Sequence, residues 1–139
     1  MAHVELKAIT KSFGATTVIP PLDLAIEKGE FLVLVGPSGC GKTTTLRMLA
    51  GLETVSEGSI SINGREVTHE RPGTRNCAMV FQNYALYPHM SVRENIGYAM
   101  KVHGTSQAII AERVAEAAKL LGLDPYLDRK PKNLSGGQR

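Results

Sequence analysis

An α/β fold follows from three features of this 139-residue chain. Polar and apolar residues alternate through its opening stretch, the mark of half-buried strands. A continuous apolar run, Phe31–Val35, leads directly into a glycine-rich stretch, Gly36–Gly41, and then into a short helical pattern. The final third carries two amphipathic helical patterns. A chain of this length is the size of one domain and can bury a core without disulfides or a structural metal. Hydrophobic residues make up 42% and charged residues 21%, with a mean hydropathy of −0.08. That composition excludes disordered, collagen-like and low-complexity chains. Phe31–Val35 is the longest apolar run and is far too short to cross a bilayer. Met1–Lys7 lacks the basic and then apolar pattern of a signal peptide. The expectation is a soluble, intracellular protein.

Taken in order, Val4, Leu6 and Ala8 alternate with Glu5 and Lys7, and Leu22, Leu24 and Ile26 alternate with Asp23, Ala25 and Glu27. Both stretches are predicted strands. Phe31–Val35 reads as a strand covered on both faces, as in parallel sheets. Thr43–Ala50 is a predicted helix with Leu46, Leu49 and Ala50 on one side and Gly51 as its stop. Ser59–Ile62 and Arg65–Thr68 are predicted hairpin strands joined by Asn63-Gly64. Pro72-Gly73 marks Glu70–Asn76 as a loop, Ala78–Phe81 as the next strand, and Asn83–Met90 as an ordered loop. Ser91-Val-Arg-Glu94 has the capping-box pattern, and its helix closes at Gly104. Ser106 caps a second helix whose apolar positions are Ile109, Ile110, Val114, Ala117, Leu120 and Leu121, ending at Gly122. The basic tail Arg129–Arg139 opens onto a further helix.

Gly36-Pro37-Ser38-Gly39-Cys40-Gly41-Lys42-Thr43 fits the phosphate-loop pattern G-x-x-x-x-G-K-[ST], with a strand before it and a helix after it. Glycines let the backbone turn tightly and aim its N–H groups inward at a polyphosphate. The helix that follows adds the positive end of its dipole. In such a loop Lys42 reaches the β- and γ-phosphates, the Thr43 hydroxyl ligates Mg²⁺, and Thr44 bonds a phosphate nearer the nucleoside. Near the end of the chain, Leu134-Ser135-Gly136-Gly137-Gln138 places a serine N-cap ahead of two glycines, where a phosphate can approach a first helical turn closely. Cysteine usage, Cys40 and Cys77, fits a reducing compartment. Four scattered histidines, His3, His69, His89 and His103, lack metal-site spacing, so no structural metal is expected. The net charge of +3 permits an anionic partner. No aromatics interleave the Arg129, Lys130 and Lys132 cluster, so no nucleic-acid partner is expected.

The phosphate loop together with Leu134–Gln138 resembles the nucleotide-binding domain of ATP-binding cassette (ABC) proteins, of which Leu-Ser-Gly-Gly-Gln is the signature. The resemblance covers the whole chain. It implies an α/β P-loop NTPase of the ABC ATPase type, with an N-terminal antiparallel β subdomain, part of a RecA-like parallel sheet, and a helical subdomain ending in the signature. It also implies ATP and Mg²⁺ as ligands. Gln82 matches the glutamine that contacts Mg²⁺ and the attacking water. Phe13 matches the aromatic residue that stacks on adenine, and Val18 the residue lining the ribose. The signature residues Leu134–Gln138 serve the nucleotide of a second copy, bound head to tail. Phe81–Val92 resembles the importers of sugars and glycerol phosphate, in which Asn83–Val92 docks on a transmembrane permease subunit and a periplasmic binding protein acts indirectly. Tyr84, Leu86, Tyr87, Pro88 and His89 then form part of that docking surface. The implied location is cytoplasmic, peripheral on the inner face of the membrane.

The resemblance implies a single, incomplete domain over 1–139, with a β and phosphate-loop part at 1–82 and a glutamine-loop and helical part at 83–139. The family's magnesium-shell aspartate and general-base glutamate follow the signature, so the chain reads as cut on its C-terminal side, with weak hydrolysis and an uncovered sheet edge. Two other readings stay open: a nucleotide-gated assembly module that does not hydrolyse, and a non-transport relative acting on ribosomes or chromosomes.

Overall fold

The computed structural model describes residues 3–139. It forms two compact units, one reaching to Met79 and the other spanning Val80–Arg139. In the first, β1 (Val4–Phe13), β2 (Thr16–Ile26), β3 (Glu57–Ile62) and β4 (Arg65–Glu66) make one antiparallel sheet in the order β2-β1-β3-β4. Helix α1 (Lys42–Leu49) packs Met48 into the core beside Leu6, Ile9, Ile19, Ile60, Ile62 and Val67. Pro20 and Pro21 sit within β2, which tolerates them because it is an edge strand and its outer side has no ladder to donate to.

The alternation expected in β1 breaks at Ala8. This residue adopts φ 45° and is exposed, its amide donating to Asp23 Oδ1 at 2.7 Å. Ile9 rather than Ala8 enters the core. The bulge faces Gly58 at φ 86°, where a Cβ would collide with the carbonyl oxygens of Lys7 and Ala8. Only glycine allows that approach. The hairpin at Asn63-Gly64 forms as expected, with φ 52° and 75° at its two central residues. Its second strand is shorter than predicted, ending at Glu66, though Val67 N still donates to Ile60 O at 2.8 Å.

The expected strands Phe31–Val35 and Ala78–Phe81 are not formed. Neither run joins the antiparallel sheet, and Phe31, Val35 and Val80 are about nine-tenths exposed. An apolar run becomes a strand only when neighbouring strands satisfy its backbone and cover its faces, and among the described residues none pairs with these two. The parallel part of the expected sheet is therefore absent among the described residues. In α1 the buried residues are Thr45 and Met48, whereas the predicted Leu46 is 46% exposed.

In the second unit, α2 (Val92–Val102) packs on α3 (Gln107–Leu121) around Val92, Ile110, Val114, Ala118, Leu127 and Leu134. A Cβ at Gly97 would come within 2.8 Å of Ile110 Cγ2, so this glycine lets the helices close. The capping box of α2 is complete: Glu94 N donates to Ser91 Oγ and Ser91 N to Glu94 Oε2. Ser106 stands at the N-cap of α3 without a side-chain cap bond. The inner face of α3 is Ile110, Val114 and Ala118. The predicted Ile109, Leu120 and Leu121 face outward because successive i, i+4 positions, not the whole apolar set, meet α2. No helix among the described residues is long and apolar enough to cross a membrane.

Candidate functional site

The phosphate loop leaves β2 behind and enters α1 at Gly41, the N-cap, with φ 93° and ψ 0°. A Cβ there would sit 2.9 Å from Ile19 Cγ1 and 3.5 Å from the carbonyl oxygen of Val18, so the loop rests directly on β2. Gly39 is also left-handed, at φ 83°. Gly36 approaches Cys40 so closely that a Cβ would meet its Sγ at 2.8 Å. Lys42 folds back over the loop and donates from Nζ to Gly36 O at 2.8 Å and Pro37 O at 2.7 Å, with Cys40 Sγ at 3.4 Å. The ammonium is thereby fixed at the mouth of the loop. No side chain caps the start of α1, and its first turn holds no acidic residue. The N-terminal amides and their dipole are thus free to meet an anion. Pro37, Ser38, Gly39, Cys40 and Thr43 are exposed, and Thr44 is half-buried. The donor set of amides, a hydroxyl and one ammonium suits a polyphosphate with its magnesium ion.

Phe13 lies at the end of β1, 51% exposed, in the same unit. Val18 is half-buried against the core. The structure thus gathers Phe13, Val18 and Gly36–Thr44 on one unit. Gln82, Leu134, Ser135, Gly136, Gly137 and Gln138 belong to the other.

Gln82 is exposed in a turn closed by Tyr84 N donating to Phe81 O at 3.0 Å. Tyr84 and Ala85 then take positive φ values of 64° and 47°, a strained pair outside any helix or strand. Tyr84, Leu86 and Pro88 line a cleft of about 340 Å³ with Pro131, Lys132 and Arg139. Tyr87 packs against Tyr98 with ring centroids 4.6 Å apart and the planes tilted by 52°. Ser135 makes the bonds of an N-cap: Gln138 N donates to Ser135 Oγ at 3.4 Å, Ser135 N donates to Gln138 Oε1 at 2.9 Å, and Arg139 N donates to Ser135 O at 3.2 Å. The expected further helix is not formed among the described residues, where 136–138 are a turn. Gly136 and Gly137 stay exposed between the two partners. Leu134 is buried and anchors this turn in the helical core.

Three residues that the sequence reading passed over support these elements. Arg75, 2% exposed, donates to Met48 O, Leu49 O, Thr68 O and Glu70 O, sealing the C-terminal end of α1. Burial pushes its pKa down, opposed by Cys77 and Glu70. Lys11, equally buried, bonds Glu53 Oε1 at 2.7 Å, Thr54 O at 2.7 Å and Thr54 Oγ1 at 2.9 Å. Asn95 staples the Pro88 loop to α2 through Tyr87 N, Tyr87 O and Met90 O. None has a periodic or motif signal: Arg75 and Lys11 reach groups distant in sequence, and Asn95 bonds a loop that no periodicity describes.

The family model described as ABC transporter matches residues 19–139. A sn-glycerol-3-phosphate import ATP-binding protein UgpC of Ruegeria sp. is 60% identical over 139 residues, covering all of this chain and 40% of the relative. Those of Rhizobium johnstonii and Escherichia coli K12 are 57% and 59% identical, with 38% and 39% of their lengths covered. The chain thus spans about two fifths of these relatives. A solved structure described as a dimeric post-hydrolysis state of the ATP-binding cassette MJ0796, bound to ADP and Pi, superposes with a TM-score of 0.84 at 29% identity, over 97% of this chain and 64% of that one. A phosphate loop and a Leu-Ser-Gly-Gly-Gln turn, carried on a fold that superposes this closely, agree with the family match over most of its length: the chain belongs to the ABC transporter family.

Proposed function

We propose that this chain supplies the nucleotide-binding part of the energy-coupling ATPase subunit of an importer. Mg-ATP binds with its base on Phe13, its ribose near Val18, and its phosphates in the loop Gly36–Thr43, aided by Thr44. Lys42 meets the β- and γ-phosphates. Thr43 and Gln82 would hold the Mg²⁺, which supplies charge neutralisation on the phosphates when bound. Ser135–Gln138 present a helix start to the nucleotide of a second copy. The two copies close head to tail, and Asn83–Val92 passes that closure to the transmembrane permease. The subunit works peripherally on the cytoplasmic face, with a periplasmic binding protein acting indirectly. The names of the relatives favour a solute of the glycerol-phosphate class over work on ribosomes or chromosomes.

The observation that carries this reading is the loop itself: Lys42 held over two of its carbonyls beside a helix start with neither a cap nor a carboxylate. The test is calorimetric titration with Mg-ATP, alongside phosphate release, on this chain and on Lys42→Ala. The variant should bind about 1.5–3 kcal/mol more weakly, the worth of a hydrogen bond to a charged group. Unchanged affinity removes Lys42 from the phosphates.

A further inference from the structure

The ring that receives the base has a second neighbour. Lys11 Nζ stands over Phe13 at 4.7 Å from the ring centroid, well inside the range in which an ammonium and an aromatic face attract. It does so from a fixed place. Its three protons are matched by three acceptors, Glu53 Oε1, Thr54 O and Thr54 Oγ1, at 2.7–2.9 Å. The Lys11 side chain is 7% exposed, while Phe13 is half exposed. One face of the ring is therefore seated on a buried cation and the other is available. Glu53 and Thr54 follow α1 in the chain, so this cation joins the ring's strand to the segment leaving the phosphate-loop helix. The Glu53 carboxyl is held below its usual range, first by the Lys11 bond and then by the Thr54 amide, which keeps that carboxylate an acceptor for the ammonium.

We propose that Lys11 is a positioning residue for base binding: its ammonium fixes the orientation of the Phe13 ring and leaves one polarised face for a purine. This deepens the reading of Phe13 as the base-stacking residue and rests on it. An ammonium behind a ring draws electron density from the open face, which favours a flat, electron-rich heterocycle there and disfavours a second cation. Lys11 therefore acts on the base and not on the phosphates, and that separates it from a purely structural ion pair.

The experiment is calorimetric titration with Mg-ATP and, separately, with Mg-tripolyphosphate, which has the phosphates and no base. It is run on the chain and on Lys11→Met, which keeps the apolar stem and removes the charge. The preference for ATP over tripolyphosphate should fall about threefold or more, with tripolyphosphate affinity unchanged. A parallel loss of both ligands, or no change in either, overturns the proposal. Lys11→Arg keeps a cation over the ring and should retain the preference. If Lys11→Met fails to fold, a folded Lys11→Arg that has lost the preference overturns the proposal, and one that keeps it supports it. A chain that binds both ligands equally well removes the ring from base binding and leaves the phosphate loop standing. A chain that binds neither removes the nucleotide reading as well.

Discussion

Two glycine-rich turns occur in this chain, one opening helix α1 and one carrying a serine cap, and they solve the same problem in opposite ways. At Gly41 the start of α1 is left without any side-chain cap, and the nearest cation, Lys42, is parked on loop carbonyls. At Ser135 the start is closed on itself, Ser135 and Gln138 each satisfying the other's backbone amide. Orphan amides at a helix start need an acceptor. The first start leaves that place to a ligand, and the second already contains one. The uncapped start beside the Gly36–Thr43 loop is thus open to an anion, as the proposed function requires. The Ser135–Gln138 turn, with two exposed glycines between its partners, is suited to complement a phosphate presented from elsewhere. The difference lies in one residue type at the N-cap, glycine or serine.

The largest effect that tests this contrast is expected at Gly41→Ala. A Cβ at φ 93° is strained, and it would press on Ile19 Cγ1 at 2.9 Å, a residue with 4% exposure and little room to move. The sum should cost about 2–4 kcal/mol of stability in a denaturant melt, combining the left-handed penalty with overpacking. Nucleotide binding should fall with it, because the same turn aims the loop amides. A Gly41→Ala chain as stable as the parent would mean that the loop does not rest on β2, and the open start would lose its structural basis.

Local elements were far easier to read from the amino-acid order than shared ones. The Asn63-Gly64 hairpin, the Ser91–Glu94 capping box and the phosphate loop all depend on residues within a few positions of one another, and all are present. What failed was non-local. Phe31–Val35 has the composition of a buried strand, but burial belongs to neighbours that composition does not name. The Ala8 bulge depends on Gly58 and Asp23, far away in the chain. Arg75 shows the same limit from the functional side: it seals the far end of α1 from 26 and 27 residues away, and its own surroundings, Thr-Arg-Asn, say only loop. The site was legible where a motif carries its own geometry, as the loop and the signature turn do. It was illegible where a buried cation such as Lys11 links segments of the chain that meet only after folding.

A smaller effect should come from the second helix start. Ser135→Ala removes the acceptor for Gln138 N, and loss of an N-cap of this kind costs about 1 kcal/mol. The loss should be confined to the Val80–Arg139 unit, seen as faster amide exchange at Gln138 and Arg139. Mg-ATP affinity at the Gly36–Thr43 loop of a single chain should be unchanged. A matching fall in that affinity would contradict the division of labour between the two starts.

The smallest expected effect separates two capping boxes by their chemistry. In α2 the box uses Glu94, and in the tail it uses Gln138. Bonds from the Ser91 backbone amide first, and then from its side chain, hold the Glu94 carboxyl below its ordinary value of 4.5. A depressed folded-state pKa means that the unfolded chain binds the proton more readily. The box therefore contributes its full stability above the ordinary carboxylate range, and that contribution disappears as pH falls through the lowered folded value. Protonated Glu94 accepts more weakly from Ser91 N, so exchange protection of the Ser91 amide should decline as the solution is acidified below pH 4.5. Gln138 has no proton to gain, and the Ser135 amide should keep its protection over the same range, apart from the general change in exchange chemistry. Glu94→Gln should make the first box behave like the second. If the Ser91 and Ser135 amides lose protection together, acid is acting on the fold as a whole and not on one carboxylate cap.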